Sequence, residues 1–136
     1  MSKYSISFKI LSTNHIIIDA AVNNVGGKFL IDTGASNSCI NLNKSEKFRL
    51  NYGKSDEQAS SATDEIKDTF ISKKNLLIID KYSINDFDII LFNMEHVIKA
   101  LLDKDEIEID GIIGADILIK YNCCIDFKEN TLLIKS

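Results

Sequence analysis

Residues 29–36 read Phe-Leu-Ile-Asp-Thr-Gly-Ala-Ser: an apolar strand that ends in a carboxylate, followed by a small hydroxyl residue and a glycine. The order suits a reactive acid. A strand fixes the backbone of Asp32, Gly34 permits a tight turn, and nearby hydroxyls can orient the carboxylate. Alone, the stretch also reads as a strand-end turn with Asp32 as a solvated acceptor. A second stretch, residues 110–118, reads Asp-Gly-Ile-Ile-Gly-Ala-Asp-Ile-Leu. Two glycines bracket two isoleucines and a helix starts at once, as in a buried strand whose glycines let backbones pass close together. No Lys-Ser/Thr follows and no Gly-x-Gly-x-x-Gly is present, so a phosphate loop is excluded.

Outward from these stretches the periodicity is mostly that of strands. Residues 4–11 alternate, which places Tyr4, Ile6, Phe8 and Ile10 on one face, and residues 15–22 form a second strand. Asn23 to Gly27 supply a turn before the strand Lys28 to Asp32. A short helix is expected over 44–50 with Asn43 as its cap, strands over 70–80 and 84–92, and a helix over 93–103. The apolar stripe of that helix (94, 97, 98, 101 and 102) is expected to pack on the body. Another short helix follows at about 115–121, then a closing hairpin of residues 123–127 and 131–135 about Lys128-Glu129-Asn130. Residues 51–69 are polar and, at 19 residues, long for a loop in a compact domain, a length typical of lids and binding loops.

Composition narrows the function classes. The chain has 136 residues, 45% apolar and 26% charged, with a net charge of −4 and no proline, which implies one domain over 1–136 with a sizeable core. Its acidity, with Arg49 the only arginine, argues against a nucleic-acid surface. No apolar run approaches the roughly 20 residues that span a bilayer, and the first residues alternate rather than form a secretory leader, so a cytoplasmic protein without a membrane partner is expected. The three cysteines (Cys39, Cys123, Cys124) form no Cys-x-x-Cys pair, and His15 and His96 lie far apart, so no metal site is expected. Reduced, at least partly buried thiols are the expectation.

Taken together, Asp32-Thr33-Gly34-Ala35-Ser36 and, about 75 residues later, Asp-Gly-Ile-Ile-Gly-x-Asp-Ile-Leu resemble the retropepsin-like aspartic proteases. This group includes the retroviral proteases and single-domain bacterial relatives, and the chain looks most like the bacterial type. The resemblance implies a mainly β fold: a closed, acid-protease β-barrel lobe with two or three short helices. It implies that Asp32 is catalytic and that Thr33 locks two active-site loops together across a dimer. Gly34 and Ala35 would line the cleft through their backbones, with Ser36 completing the loop. Gly111 and Gly114 would belong to a strand threaded beside that loop, and Asp116 would have a structural role at the start of the short helix. The flap would fall in the polar stretch, at Ser61, Ala62, Thr63 and Asp64, although Ser60 to Glu65 contains no glycine.

One carboxylate is a poor peptide-bond hydrolase, because one group must take a proton from water while another gives one to the carbonyl oxygen or leaving nitrogen. Two aspartates about 3 Å apart share a proton and divide the two roles. The chain holds one Asp-Thr-Gly, and neither Asp110 nor Asp116 sits at a strand end before Thr-Gly or Ser-Gly. The resemblance therefore implies a C2 homodimer, one Asp32 from each chain, acting on a peptide or protein substrate without a cofactor. A non-catalytic binding module on the same fold is the other reading.

Overall fold

The computed structural model describes residues 3–54, 68–101 and 107–135, and the expected flap residues Ser61, Ala62, Thr63 and Asp64 lie outside them. Eleven strands and two α-helices are present among the described residues: β1 Lys3–Ser7, β2 Lys9–Ile10, β3 Ile16–Val22, β4 Val25–Ile31, β5 Cys39–Asn41, β6 Gly53–Lys54, β7 Phe70–Ile79, β8 Tyr82–Phe92, α1 Glu95–Leu101, β9 Gly111–Ile113, α2 Ala115–Lys120, β10 Cys124–Asp126 and β11 Thr131–Lys135. Six of the strands run β3-β4-β9-β5-β8-β7, and β7 returns to β3 through Ala21–Ile78 and Val22–Leu77. The sheet thereby closes into a barrel, which removes the free edges that an open sheet of this kind would carry. Strands β1, β11 and β10 form a separate three-stranded sheet.

The alternation of apolar residues sorts the barrel's two faces. Ile16, Ile18, Ala20 and Val22 of β3 and Phe29 and Ile31 of β4 point inward, with Ile40, Leu77, Ile89, Leu91 and Ile113, into one core that also takes Ile6, Leu132 and Ile134 from the small sheet. The residues between them, Ile17 and Leu30, point outward with Cys39 and Ile112. A second cluster covers them there, made with Leu11, Met94, Ile98 and Ile109. The stripe expected over 93–103 thus packs on the body at Met94, just before α1, and at Ile98 within it, but Val97 is exposed.

Several sequence expectations need correction. The alternating run 4–11 is not one strand: β1 pairs with β11 whereas β2 pairs with β3, and Ile10 is exposed instead of sharing a buried face with Ile6 and Phe8. Alternation reports a pleated chain but not which neighbour it pairs with. The turn after β3 is the pair Asn23-Asn24, both at positive φ, and Gly26 and Gly27 lie within β4. The helix expected over 44–50 is a 3-10 turn at Leu42–Lys44 followed by turns, ending at Arg49 with φ 55°. Buried Phe48 and Leu50 hold that segment in place by tertiary packing, and Asn43 bonds the Glu95 carboxylate instead of capping a helix. All three cysteines are free, but Cys124 is exposed.

Candidate active site

Asp32 follows β4 directly. Its N–H donates to the carbonyl of Ile113, the last residue of β9 (3.0 Å), so the hydrogen bonding of β4 to β9 continues one residue past the end of β4. Its carbonyl accepts the Ala35 N–H (3.2 Å), which closes a turn at Thr33-Gly34. The Gly34 N–H in turn donates to Asp32 Oδ1 (2.8 Å). A β-carbon on Gly34 would lie 3.2 Å from that oxygen, so the bare glycine lets the amide approach. The Asp32 carboxylate is thereby oriented by a backbone donor while remaining exposed, together with Thr33, Gly34 and Ser36; Ala35 is half-buried.

The loop is anchored to the second motif at three points. The Ala115 N–H donates to the Ala35 carbonyl (2.7 Å). Both the N–H and the hydroxyl of Ser38 donate to the Asp116 carboxylate (2.9 and 2.7 Å), and the Ser38 Oγ accepts the Gly114 N–H (2.9 Å). The glycines are required by proximity. A β-carbon on Gly111 would stand 2.3 Å from the Cys39 carbonyl oxygen, and one on Gly114 would stand 2.5 Å from that of Ala35. β9 is threaded between β4 and β5 with no room for a side chain at either end.

The other two candidate aspartates are engaged elsewhere. Asp116 is tied to Ser38. Asp110 is buried at the opposite end of the β4–β9 ladder, where its Oδ2 accepts the Lys28 N–H (3.0 Å) and its Oδ1 pairs with Lys47 (3.0 Å) and Lys44 (3.8 Å). Lys44 also pairs with Glu108. The nearby Cys39 thiol is pushed up to about 12 by burial and then by the negative charges of Asp116 and Asp32, which keeps it protonated at neutral pH. No group of three or more His, Cys, Asp and Glu side chains among the described residues is placed to hold a metal ion.

The structure thus brings together Asp32, Thr33, Gly34, Ala35, Ser36, Gly114 and Asp116, while Gly111 lies at the other end of β9, against Cys39 and Ile40. Sequence reasoning missed Ser38, the bridge between loop and helix, because a serine two residues after Ser36 in a short polar stretch carries no periodic signal. It missed the partners of Asp110, which lie 63 or more positions away in the chain.

Comparison with known proteins agrees with this geometry. The aspartyl protease family matches residues 18–117, a span that begins in β3 and ends in α2. No curated protein sequence matches the chain. Among solved structures, a retropepsin-like aspartic protease from Rickettsia conorii superposes with a TM-score of 0.63 at 22% identity, covering 98% of this chain and 89% of that one. The retroviral protease-like domain of Ddi1 from Leishmania major gives 0.56 at 23% identity, covering 87% and 84%. The protease of EIAV in complex with the inhibitor HBY-793 gives 0.56 at 14% identity, covering 78% and 86%. At these identities the likeness is one of fold, a retropepsin-like barrel. The motif geometry, the barrel and the span of the family match lead to one statement: the chain belongs to the aspartyl protease family.

Proposed function

We propose that the protein is an aspartic endopeptidase that hydrolyses peptide bonds as a homodimer, with one Asp32 from each chain forming the catalytic dyad. The observation that carries this reading is the Asp32 carboxylate itself. It is exposed at the end of a buried strand, held by the Gly34 N–H on Oδ1, and fixed in position by Ile113 behind it. In the proposed dyad the partner carboxylate and the attacking water lie against this carboxylate. One such acid per chain cannot act as both base and acid, and two related by a two-fold axis can, because they share a single proton.

In the proposed cycle the ionised Asp32 takes a proton from water. The resulting hydroxide attacks the scissile carbonyl while the protonated Asp32 of the second chain donates to the carbonyl oxygen. Collapse of the tetrahedral intermediate then expels the amine with the proton returned to nitrogen. The dyad titrates as a pair, so its two apparent pKa values belong to the dimer rather than to either chain. Thr33, exposed beside Asp32, is the residue proposed to join the two loops across the axis. Asp116, Ser38 and the two glycines position the loop without touching substrate. Residues 61–64 are proposed as the flap over an extended peptide.

Asp32→Asn tests the assignment. Cleavage of a peptide library should be lost while the dimer mass in sedimentation equilibrium and the folded spectrum are retained; a variant that cleaves as fast as the parent sinks the reading. The absence of glycine from Ser60 to Glu65 favours a second reading, a non-catalytic binding module. A strictly monomeric chain at micromolar concentration and mildly acidic pH would support that alternative.

A further inference from the structure

The chain leaves one sheet for the other at Phe8, and the crossing opens a cleft. In and around β3, odd-numbered residues turn their backbone groups away from β4. The His15 carbonyl accepts the Leu11 N–H (2.8 Å), and the Asn23 N–H, just past β3, donates to the Leu76 carbonyl (2.8 Å). On that flank Ile17 faces Lys9 of β2, and Ala21 faces Ile78 of β7. Asp19 lies between them, and no described strand pairs with it there. Had β2 continued backwards in register, Ser7 would oppose Asp19; instead β1 turns away to pair with β11. The Phe8 N–H, just past β1, donates to the Asn130 carbonyl (3.0 Å). Even-numbered residues therefore bond β11, while Ser5 and Ser7 turn their N–H and C=O groups to the free edge of β1. Between these edges lies a cleft of about 530 Å³, lined by Ser5 and Ser7 of β1, Asp19 and Ala21 of β3, and Ile78 and Asp80 at the end of β7. That volume lies in the range of ligand sites.

The side chains give the cleft its chemistry. Ile6 and Ala20 are buried towards the core, whereas Ser5, Ser7, Asp19 and Asp80 are exposed. Both charged residues that line it are acids. Asp19 is paired with Lys28, and Asp80 has no hydrogen bond or ion pair among the described residues. An unpaired strand edge is a template for a further strand, and the two acids favour a cationic one. We propose that this cleft docks an extended, basic segment of a partner protein by strand addition along β1. The backbone of Ser5 and Ser7 supplies the ladder; alternate side chains of the segment are small and apolar, facing Ile6, and those between them are Lys or Arg, set against Asp19 and Asp80. Asp19 pairs with Lys28, four residues or about 13 Å of strand before Asp32. The cleft is thus separate from the Asp32 loop, and the proposal holds whether or not Asp32 is catalytic.

The test titrates a fluorescein-labelled heptapeptide of alternating Lys and Val against the Asp32→Asn protein, read by anisotropy. A Glu-Val counterpart should bind about tenfold more weakly. Asp19→Asn combined with Asp80→Asn should weaken the Lys-Val peptide about fivefold, and the loss should shrink as salt rises. N-methylation of the peptide's alternate amides should be tolerated along one edge and cost at least about tenfold along the other, because strand addition uses one edge. Ser7→Pro, which removes an N–H from the free edge of β1, should weaken binding, whereas Ser7→Ala should not. If the Ser7→Pro protein does not fold, the methylated peptides decide the same point. Equal binding of the Lys-Val and Glu-Val peptides, or binding that the paired Asn substitutions leave unchanged, overturns the proposal. So does tolerance of N-methylation along both edges, since the peptide would then bind without a ladder.

Discussion

Asp32 and Asp110 sit at opposite ends of the same short parallel ladder, β4 against β9, and their surroundings are opposite as well. Asp110 precedes β9 and is buried, with its oxygens divided between the Lys28 N–H and the ammonium groups of Lys47 and Lys44. Asp32 follows β4 and is exposed, with the Gly34 N–H on Oδ1. A buried carboxylate is retained only where cations and donors compensate for lost hydration, and such compensation fixes its charge. A carboxylate that must exchange protons with water and a partner acid needs the reverse: one orienting donor and an open second oxygen. The ladder therefore carries a structural acid at one end and the acid proposed to be catalytic at the other, with about 13 Å of strand between them at 3.3 Å per residue.

The largest effect expected from this contrast is on activity at Asp32. Asp32→Asn should cut kcat/KM by at least about 10³-fold, because the general base and acid are both lost. Stability should stay within about 0.5 kcal/mol, since the side chain is exposed. Asp110→Ala should do the reverse. Removing the buried carboxylate leaves the Lys28 amide without its acceptor and Lys47 without its ion pair, at a cost of about 3 kcal/mol in urea unfolding. If Asp110→Ala unfolds like the parent, the cluster holds nothing together and the contrast fails.

The two motifs and most of the longer strands were legible because they are local or periodic: a strand, an acid, a glycine, and a period-2 pattern that recurs along the chain. What was not legible depended on partners remote in sequence. Nothing in residues 4–11 says that the chain changes sheets at Phe8, because both halves alternate. The 44–50 segment has helical spacing, yet Phe48 and Leu50 are drawn into the core, and Arg49 takes a left-handed backbone that no helix continues through. Asp110 looked like part of a second motif, and its meaning came only from lysines on the 42–50 turn. Ser38 was silent for the same reason, since its partners Gly114 and Asp116 lie 76 and 78 positions away.

Asp116 lies between the two extremes, half-buried and bonded twice by Ser38. Ser38→Ala should cost about 1–3 kcal/mol, because it leaves the buried Gly114 N–H without its acceptor and one Asp116 oxygen without its donor. Unlike Asp110→Ala, it should also lower kcat, since Ser38 joins the Asp32 loop to α2. A stability loss with kcat intact would show that the loop holds its geometry without that bridge.

The smallest effect is expected at Asp19, the fourth carboxylate of the series. It lies on β3 directly across from Lys28 and pairs with the lysine's ammonium, while Lys28's own N–H serves Asp110. The Asp19 side chain is 77% exposed, so water screens the pair and solvates either charge when its partner is removed. Asp19→Asn should therefore change stability by no more than about 0.5 kcal/mol, and less still at high salt. Lys28 connects this exposed pair to the buried cluster through its backbone, not its side chain, so Lys28→Ala should be equally mild and leave the Asp110 hydrogen bond in place. A loss approaching that of Asp110→Ala would mean that the surface pair and the buried cluster act as one network, and burial alone would no longer separate structural acids from the one proposed to react.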